Sequence, residues 1–155
     1  MIAVTAHVAR HFRLAAPASA AWALLHDVPR WGRLFPHVEV VEPLPGEADA
    51  FVWRMSPLGP PGGRVRVVYA CRYAADEATR TLVWTPIEGV GTAQFDGAVA
   101  LTDAASGTTG TLRLDATLHV PAPSFVRPLV EAGVNAEMGR MTDTFLSRLD
   151  AALGV

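Results

Sequence analysis

The stretch that decides the fold is residues 125–153, FVRPLVEAGVNAEMGRMTDTFLSRLDAAL. Its apolar residues recur every three or four positions, a spacing typical of one face of an amphipathic helix. They are Val126, Val130, Val134, Met138, Met141, Phe145, Leu149 and Leu153. Pro128 must lie in or before the first turn, because a proline inside a helix costs about 3 kcal/mol. We predict one long C-terminal helix, about 43 Å in length, that needs an apolar surface to pack on.

Upstream of this helix, apolar and polar residues alternate, and a period of two predicts half-buried strands. Seven strands are predicted, over residues 2–14, 37–44, 51–56, 64–74, 80–87, 92–102 and 108–120. Residues 57–63, PLGPPGG, form a loop, since proline has no place in a central strand. Strands joined by short turns pair antiparallel, so we expect one twisted antiparallel sheet.

Two short helices are predicted directly after the first strand. Pro17 suits a first helical turn, and residues 18–26, ASAAWALLH, follow it as a helix. Asp27 can cap a second short helix that runs through Trp31 to Phe35, where Pro36 ends it. The chain therefore reads as one α+β domain over residues 1–155.

The C-terminal helix is the one element long enough to cover the apolar face of such a sheet. A curved sheet and a straight helix do not mesh along their whole length, and the gap predicts an apolar cavity of the size typical of ligand sites, ~300–1,000 Å³. A fully packed core without a cavity is the alternative. Alternation directs Tyr69, Cys71 and Tyr73 toward this interior and Arg72 away from it.

Composition excludes several classes of function. The net charge of −2 and pI of about 6.2 argue against a nucleic-acid-binding protein, which needs a basic patch. A single cysteine, Cys71, makes no internal disulfide and favours a reducing compartment. The N-terminus lacks the apolar stretch of a signal peptide, and no run reaches the ~20 apolar residues of a membrane span. We expect a cytoplasmic protein with no stable membrane insertion.

Metal and cofactor motifs are weak in this sequence. His7 and His11 would lie ~13 Å apart on a strand, too far to share an ion. Gly89-Val90-Gly91 is followed by Gln94 where a dinucleotide-binding fingerprint requires glycine. We expect no metal and no cofactor.

A family resemblance follows from the order of elements and from two local motifs. Residues 15–31, AAPASAAWALLHDVPRW, and residues 34–38, LFPHV, resemble the opening of START/Bet v 1-like (SRPBCC) proteins. Within that superfamily the chain most resembles the polyketide cyclase/dehydrase and lipid-transport group. The resemblance spans nearly the whole chain and implies a helix-grip fold, in which the sheet wraps around the long helix. It also implies a small hydrophobic ligand such as a lipid, polyketide or quinone.

The resemblance also implies where chemistry would occur. Aromatic polyketide aromatase/cyclases use an inward strand arginine to polarise a carbonyl, and Tyr73 occupies that position here. Arg72 is adjacent, but a one-residue shift turns a side chain to the other face of the sheet. Arg10 is the one charge on the apolar face of the first strand, where it could anchor a ligand or pair with a carboxylate.

Three hypotheses about function result. The favoured one is binding of the hydrophobic ligand, as a carrier or for sequestration, by a monomer or weak homodimer. The alternatives are an aromatase/cyclase-type enzyme, with Tyr69, Tyr73 or Arg10 as catalytic candidates, and a protein-interaction module with an exposed apolar patch. The two tyrosines could equally serve only as core residues. The predicted ligand-binding residues are Trp31, Phe35, Trp53, Tyr69, Cys71, Tyr73, Trp84, Phe95, Val134, Met138 and Met141.

Overall fold

The computed structural model describes residues 1–59 and 64–154, so part of the predicted loop 57–63 lies outside the described residues. The elements are β1 (Ile2–Leu14), α1 (Ala18–Leu25), α2 (Val28–Gly32), β2 (Val38–Pro43), β3 (Ala50–Met55), β4 (Val68–Asp76), β5 (Thr81–Pro86), β6 (Ala93–Ala104), β7 (Gly107–Val120), a 3₁₀ turn (Ser124–Val126) and α3 (Arg127–Leu153). The predicted order of seven strands, two early helices and one long final helix is confirmed.

The strands form one antiparallel sheet in the order β1-β7-β6-β5-β4-β3-β2. Neighbours in the chain are neighbours in the sheet from β2 to β7, as short turns require. The exception is β1, which pairs with β7, so the first and last strands lie side by side. β1 and β2 are therefore the two edges of the sheet.

Burial alternates along the strands as the sequence predicts. Even-numbered residues from Ile2 to Val8 are buried on β1, and the residues between them are exposed. On β4, Tyr69, Cys71 and Tyr73 are buried and Arg72 is exposed, although Ala70 on the opposite face is buried as well. Burial thus agrees with the predicted inner faces of these two strands, with Ala70 as the exception.

Two element boundaries differ from the prediction by more than two residues. β4 begins at Val68 instead of Arg64, and Val65 pairs only with Leu58 in an isolated bridge. The reason is that the ladder between β3 and β4 reaches no further than Arg54 opposite Val68, so the preceding residues lack a continuous partner strand. Alternation in the sequence reports burial and not strand pairing. Val67 is buried as the alternation predicts, although it lies just outside the strand.

The second helix is also shorter than predicted. Asp27 does cap it, since its carboxylate accepts the N–H of Arg30 at 3.2 Å. The helix ends at Gly32 instead of Phe35. A methyl group on Gly32 would lie 2.8 Å from the Trp53 ring. The close approach of Trp53 requires a glycine there, and the chain leaves the helix to reach His37, which has a φ of 69°.

Helix α3 packs through its C-terminal half. Met138, Met141, Phe145 and Leu149 are buried, and none of residues 127–137 is. Pro128 lies in the first turn, as predicted. Within residues 1–59 and 64–154, no helix combines the length and the apolar character needed to cross a membrane.

The helix also covers the free edge of β1. The side-chain amide of Asn135 accepts the N–H of His7 at 2.9 Å and donates to the carbonyl of Thr5 at 3.2 Å. Two turns further along, Asp143 pairs with Arg10, and Asp150 accepts the N–H of Ala15 at 3.0 Å. An unpaired strand edge invites pairing with other chains, and Asn135 bonds directly to the backbone of this edge.

We expect Asn135→Ala to lower the free energy of unfolding by about 1 kcal/mol, because two backbone hydrogen bonds of β1 are lost. The amide proton of His7 should also lose protection against hydrogen exchange. Urea unfolding and exchange measured by NMR check both effects. Ser147→Ala, at an exposed position of the same helix, is the control and should change neither. Equal behaviour of the two variants would contradict the role given to Asn135.

Candidate functional site

The space between the sheet and α3 is filled by aromatic side chains from six elements and one loop, here called the aromatic cluster. Its members are Trp31, Phe35, Phe51, Trp53, Tyr69, Tyr73, Trp84, Phe95 and Phe145. Neighbouring ring centres lie 4.1–6.2 Å apart, the range in which aromatic pairs attract one another. Seven of the nine residues are predicted ligand-binding residues, so the fold brings those together.

Trp31 is the centre of the cluster. Its ring lies 5.5–6.0 Å from the rings of Trp53, Tyr73, Trp84 and Phe145. Its indole N–H donates to the carbonyl of Leu25 at 3.0 Å, which fixes the ring between α1 and the sheet. Helix α2 thus positions the side chain of Trp31 in the interior.

Four polar side-chain groups point into this apolar interior, and we call them the polar centre. They are the indole N–H of Trp53, the hydroxyls of Tyr69 and Tyr73, and the thiol of Cys71. The register Trp53 opposite Tyr69, together with the spacing of two along β4, puts all four on the inner face. The thiol lies 3.2 Å from the carbonyl oxygen of Phe95 and donates to it.

Burial keeps the polar centre neutral. It raises the pKa of the Cys71 thiol to about 12 and raises the pKa of Tyr69 and Tyr73 well above 10. The interactions of Cys71 with both tyrosines raise their pKa further, because two neighbouring anions repel. At physiological pH these groups are therefore hydrogen-bond donors and not bases.

The indole N–H of Trp53 has no hydrogen-bond partner among the described residues, although the residue is only 3% exposed. Trp53 is close enough to the Tyr73 hydroxyl to lower its pKa, but the two groups do not meet the geometry of a hydrogen bond. A buried donor without an acceptor is costly, by ~1–3 kcal/mol. Within the described ranges, this is the one buried side-chain nitrogen or oxygen atom without a hydrogen-bond partner.

The other predicted site residues differ in how deeply they are buried. Met138 and Met141 are buried on α3, and Val134 is partly buried against the core. Arg10 lies at the surface, where its guanidinium donates to Asp143 at 2.8 Å and the carboxylate raises its pKa. The structure therefore does not bring Arg10 together with Tyr69 and Tyr73.

Two concavities, of about 650 and 350 Å³, are lined by the outer face of the sheet. The first includes His11, Arg13 and Thr111, and the second includes His7 and Asp115. Neither lies between the sheet and α3, where the aromatic rings are packed against one another. The predicted internal cavity therefore stays a prediction.

A short segment, Leu34 to His37, connects the aromatic cluster to α3. The ring of Phe35 stacks on Phe145 with centres 4.1 Å apart and planes 4° from parallel. His37 lies 3.6 Å from the Glu137 carboxylate, and Arg148 donates to the carbonyl of Leu34. Three contacts thus hold this segment over the side of the interior that α3 borders.

Sequence reasoning missed three features of the site. Phe51 and Phe145 belong to the cluster, and their places on the apolar faces of a predicted strand and of the predicted helix were the available signals. The unpaired donor of Trp53 had no signal, because hydrogen bonding depends on the positions of neighbours in space. Within residues 1–59 and 64–154, no three histidine, cysteine, aspartate or glutamate side chains come together as metal ligands.

Comparison with known proteins gives one family and many similar folds. The family model for polyketide cyclase/dehydrase and lipid transport matches residues 5–154. No curated protein matches the chain significantly. Among solved structures, the Zhui aromatase/cyclase of Streptomyces sp. R1128 is similar, with 20% identity, a TM-score of 0.66 and 97% of each chain covered.

Two further structures have the same architecture. A protein of Thermus thermophilus is 18% identical with a TM-score of 0.68, over 96% of this chain and 98% of that one. A START superfamily protein of Mycobacterium smegmatis is 13% identical with a TM-score of 0.64, over 94% of this chain and 98% of that one. Structural similarity at such low identity shows a shared fold, the helix-grip arrangement, and does not assign an activity.

The raised pKa of Cys71 predicts how stability depends on pH. The thiol holds its proton to about pH 12 in the folded protein but only to about pH 9 when unfolded. Its contribution is therefore complete below pH 9 and is lost as the pH rises from 9 to 12. We expect Cys71→Ala to flatten this decline by up to about 1.4 kcal/mol per pH unit.

Urea unfolding between pH 7 and 10.5 measures this difference. The wild type and Cys71→Ala should have parallel pH profiles below pH 8.5, which is the internal control. Parallel profiles up to pH 10.5 would contradict the assignment of a buried, neutral thiol.

Proposed function

This chain belongs to the polyketide cyclase/dehydrase and lipid transport family, and from that premise we propose that it binds a small hydrophobic ligand between α3 and the sheet. The candidate ligands are a lipid, a polyketide or a quinone. The observation that carries the proposal is the polar centre, which is enclosed by aromatic rings and includes one donor without an acceptor. A core built only for stability gains nothing from such a group.

The chemistry of the interior favours binding over catalysis. The titratable groups of the polar centre are Tyr69, Cys71 and Tyr73, and their raised pKa values keep them protonated. The buried polar residues elsewhere in the described ranges are Thr108 and Thr142, which donate to the backbone carbonyls of Ala16 and Met138. A general base needs a pKa near the operating pH, and these residues offer none.

The N-terminal half of α3 is the proposed route of entry. Residues 127–137 have no buried side chain, and a methyl group on Gly133 would contact nothing within 4 Å. Segments with few buried apolar contacts open at a low cost in free energy. Displacing only the turns before Asn135 would open the interior at this end and leave the bonds of Asn135 to β1 and the packing of Phe145 in place.

The proposal also covers how the protein works in the cell. We expect a cytoplasmic protein, since the lone cysteine favours a reducing compartment. We further propose that it acts as a carrier, in the form of a monomer or weak homodimer.

We expect the purified protein to bind the neutral dye N-phenyl-1-naphthylamine with one saturable site, measured by fluorescence titration. Val134→Arg should weaken binding at least tenfold, because it puts a long charged side chain at the proposed entry to an apolar site. Ala136→Arg adds the same charge to the exposed face of the same turn and should stay within about twofold of the wild type.

Native mass spectrometry of the same samples would identify any molecule that remains bound through purification. The proposal is wrong if the wild type takes up no dye and carries no adduct. It is also wrong if the two arginine variants bind the dye equally.

A second candidate function is that of an aromatase/cyclase-type enzyme acting on a polyketide-like substrate. It is favoured by the hydroxyls of Tyr69 and Tyr73, which are neutral and directed to the interior, so they could donate a proton to a ketone. Against it stands Arg10, the one arginine on the inner side of β1, which is paired with Asp143.

We expect Tyr69→Phe/Tyr73→Phe to bind N-phenyl-1-naphthylamine within about threefold of the wild type, because the hydroxyls add little to the burial of an apolar dye. We also expect both proteins to cyclise a poly-β-ketone thioester no faster than buffer, as followed by product chromatography. Acceleration by the wild type that the double variant loses would establish the enzyme instead.

A further inference from the structure

The indole N–H of Trp53 is the starting point of a more specific inference. It is a strong donor held in an interior where no described residue accepts from it. Two other tryptophans do have acceptors: Trp22 donates to Glu77 at 2.6 Å and Trp31 donates to the carbonyl of Leu25 at 3.0 Å. Trp53 differs from these two in that its N–H is buried and has no acceptor among the described residues.

The groups around Trp53 determine what kind of acceptor fits. Its ring is stacked on Tyr69, and it interacts with the hydroxyl of Tyr73. These hydroxyls and the thiol of Cys71 are neutral, and each can donate a proton to an oxygen. The interior thus offers several donors in one place.

The same interior disfavours a charged group. The buried residues among those described include no arginine, lysine or histidine, so no cation is present to neutralise an anion. Moving a carboxylate or phosphate into apolar surroundings without such a partner costs several kcal/mol. The acceptor must therefore be an uncharged oxygen.

We propose that the ligand carries an uncharged carbonyl oxygen, as in a ketone or quinone, which accepts a hydrogen bond from the indole N–H of Trp53. This rests on the proposed binding function and specifies the ligand for it. Trp53 then determines specificity: it selects carbonyl compounds over hydrocarbons of equal shape, and the neutral surroundings exclude carboxylates.

Three probes with nearly the same ring system test this: 9-fluorenone, fluorene and fluorene-9-carboxylate. The wild type should bind fluorenone roughly tenfold more tightly than fluorene, the effect of satisfying one buried donor. It should bind the carboxylate more weakly than fluorenone by at least tenfold. Displacement of N-phenyl-1-naphthylamine measures all three affinities in one format.

Trp53→Phe should reduce the ratio of fluorenone to fluorene affinity to between one and two, while fluorene still binds. Trp22→Phe removes a comparable indole whose N–H is already bonded to Glu77, and it should keep the wild-type ratio. In wild-type protein labelled with ¹⁵N at the tryptophan indoles, fluorenone should shift the Trp53 N–H signal and fluorene should not.

The outcomes separate this inference from the function it rests on. If neither N-phenyl-1-naphthylamine nor any of the three probes binds, the proposed binding function itself fails. If the dye binds but fluorenone does not displace it, the function stands and the carbonyl preference is wrong. If fluorenone and fluorene bind the wild type equally, the function stands and the carbonyl preference is wrong; a buried water on Trp53 would give this result. Because that comparison uses only the wild type, it remains decisive even if Trp53→Phe does not fold.

Discussion

The free edge of β1 is the constraint on which the rest of the structure depends. Seven antiparallel strands with β1 beside β7 leave the backbone of β1 unpaired on one side, and an open edge is prone to association. Helix α3 lies along this edge, where Asn135 bonds to the backbone of Thr5 and His7. The same helix presents Phe145 to the concave side of the sheet. One element thus covers both the edge and the apolar face, and the enclosed interior is a consequence.

What fills this interior decides the possible chemistry. The aromatic rings pack tightly because small residues make room for them: a methyl group on Gly97 would lie 2.6 Å from Trp84, and one on Gly32 would lie 2.8 Å from Trp53. The polar atoms that remain are neutral donors. An interior of this kind suits a ligand held by shape and hydrogen bonding, and the buried residues within 1–59 and 64–154 include no group that would readily abstract a proton. That is why binding is the better supported function although the fold is shared with aromatase/cyclases.

The shared fold and the site therefore carry different information. Similarity over nearly the whole chain at 13–20% identity preserves the sheet, the two early helices and α3. Function depends on a few inward side chains, and a shared fold does not determine which residues these are. In this chain the inward polar residues include Trp53, Tyr69 and Tyr73, and Arg10 of the first strand is paired with Asp143 at the surface.

The sequence by itself determined the elements and the faces of the strands, because periods of two and of 3.6 residues are local properties of the backbone. It thereby predicted seven strands, the Asp27 cap and the inward direction of Tyr69 and Tyr73. The tertiary structure alone decided that β4 begins at Val68, that Arg10 pairs with Asp143 and that the indole N–H of Trp53 lacks an acceptor. Each of these depends on which distant residue lies opposite in space, and no local pattern records that distance.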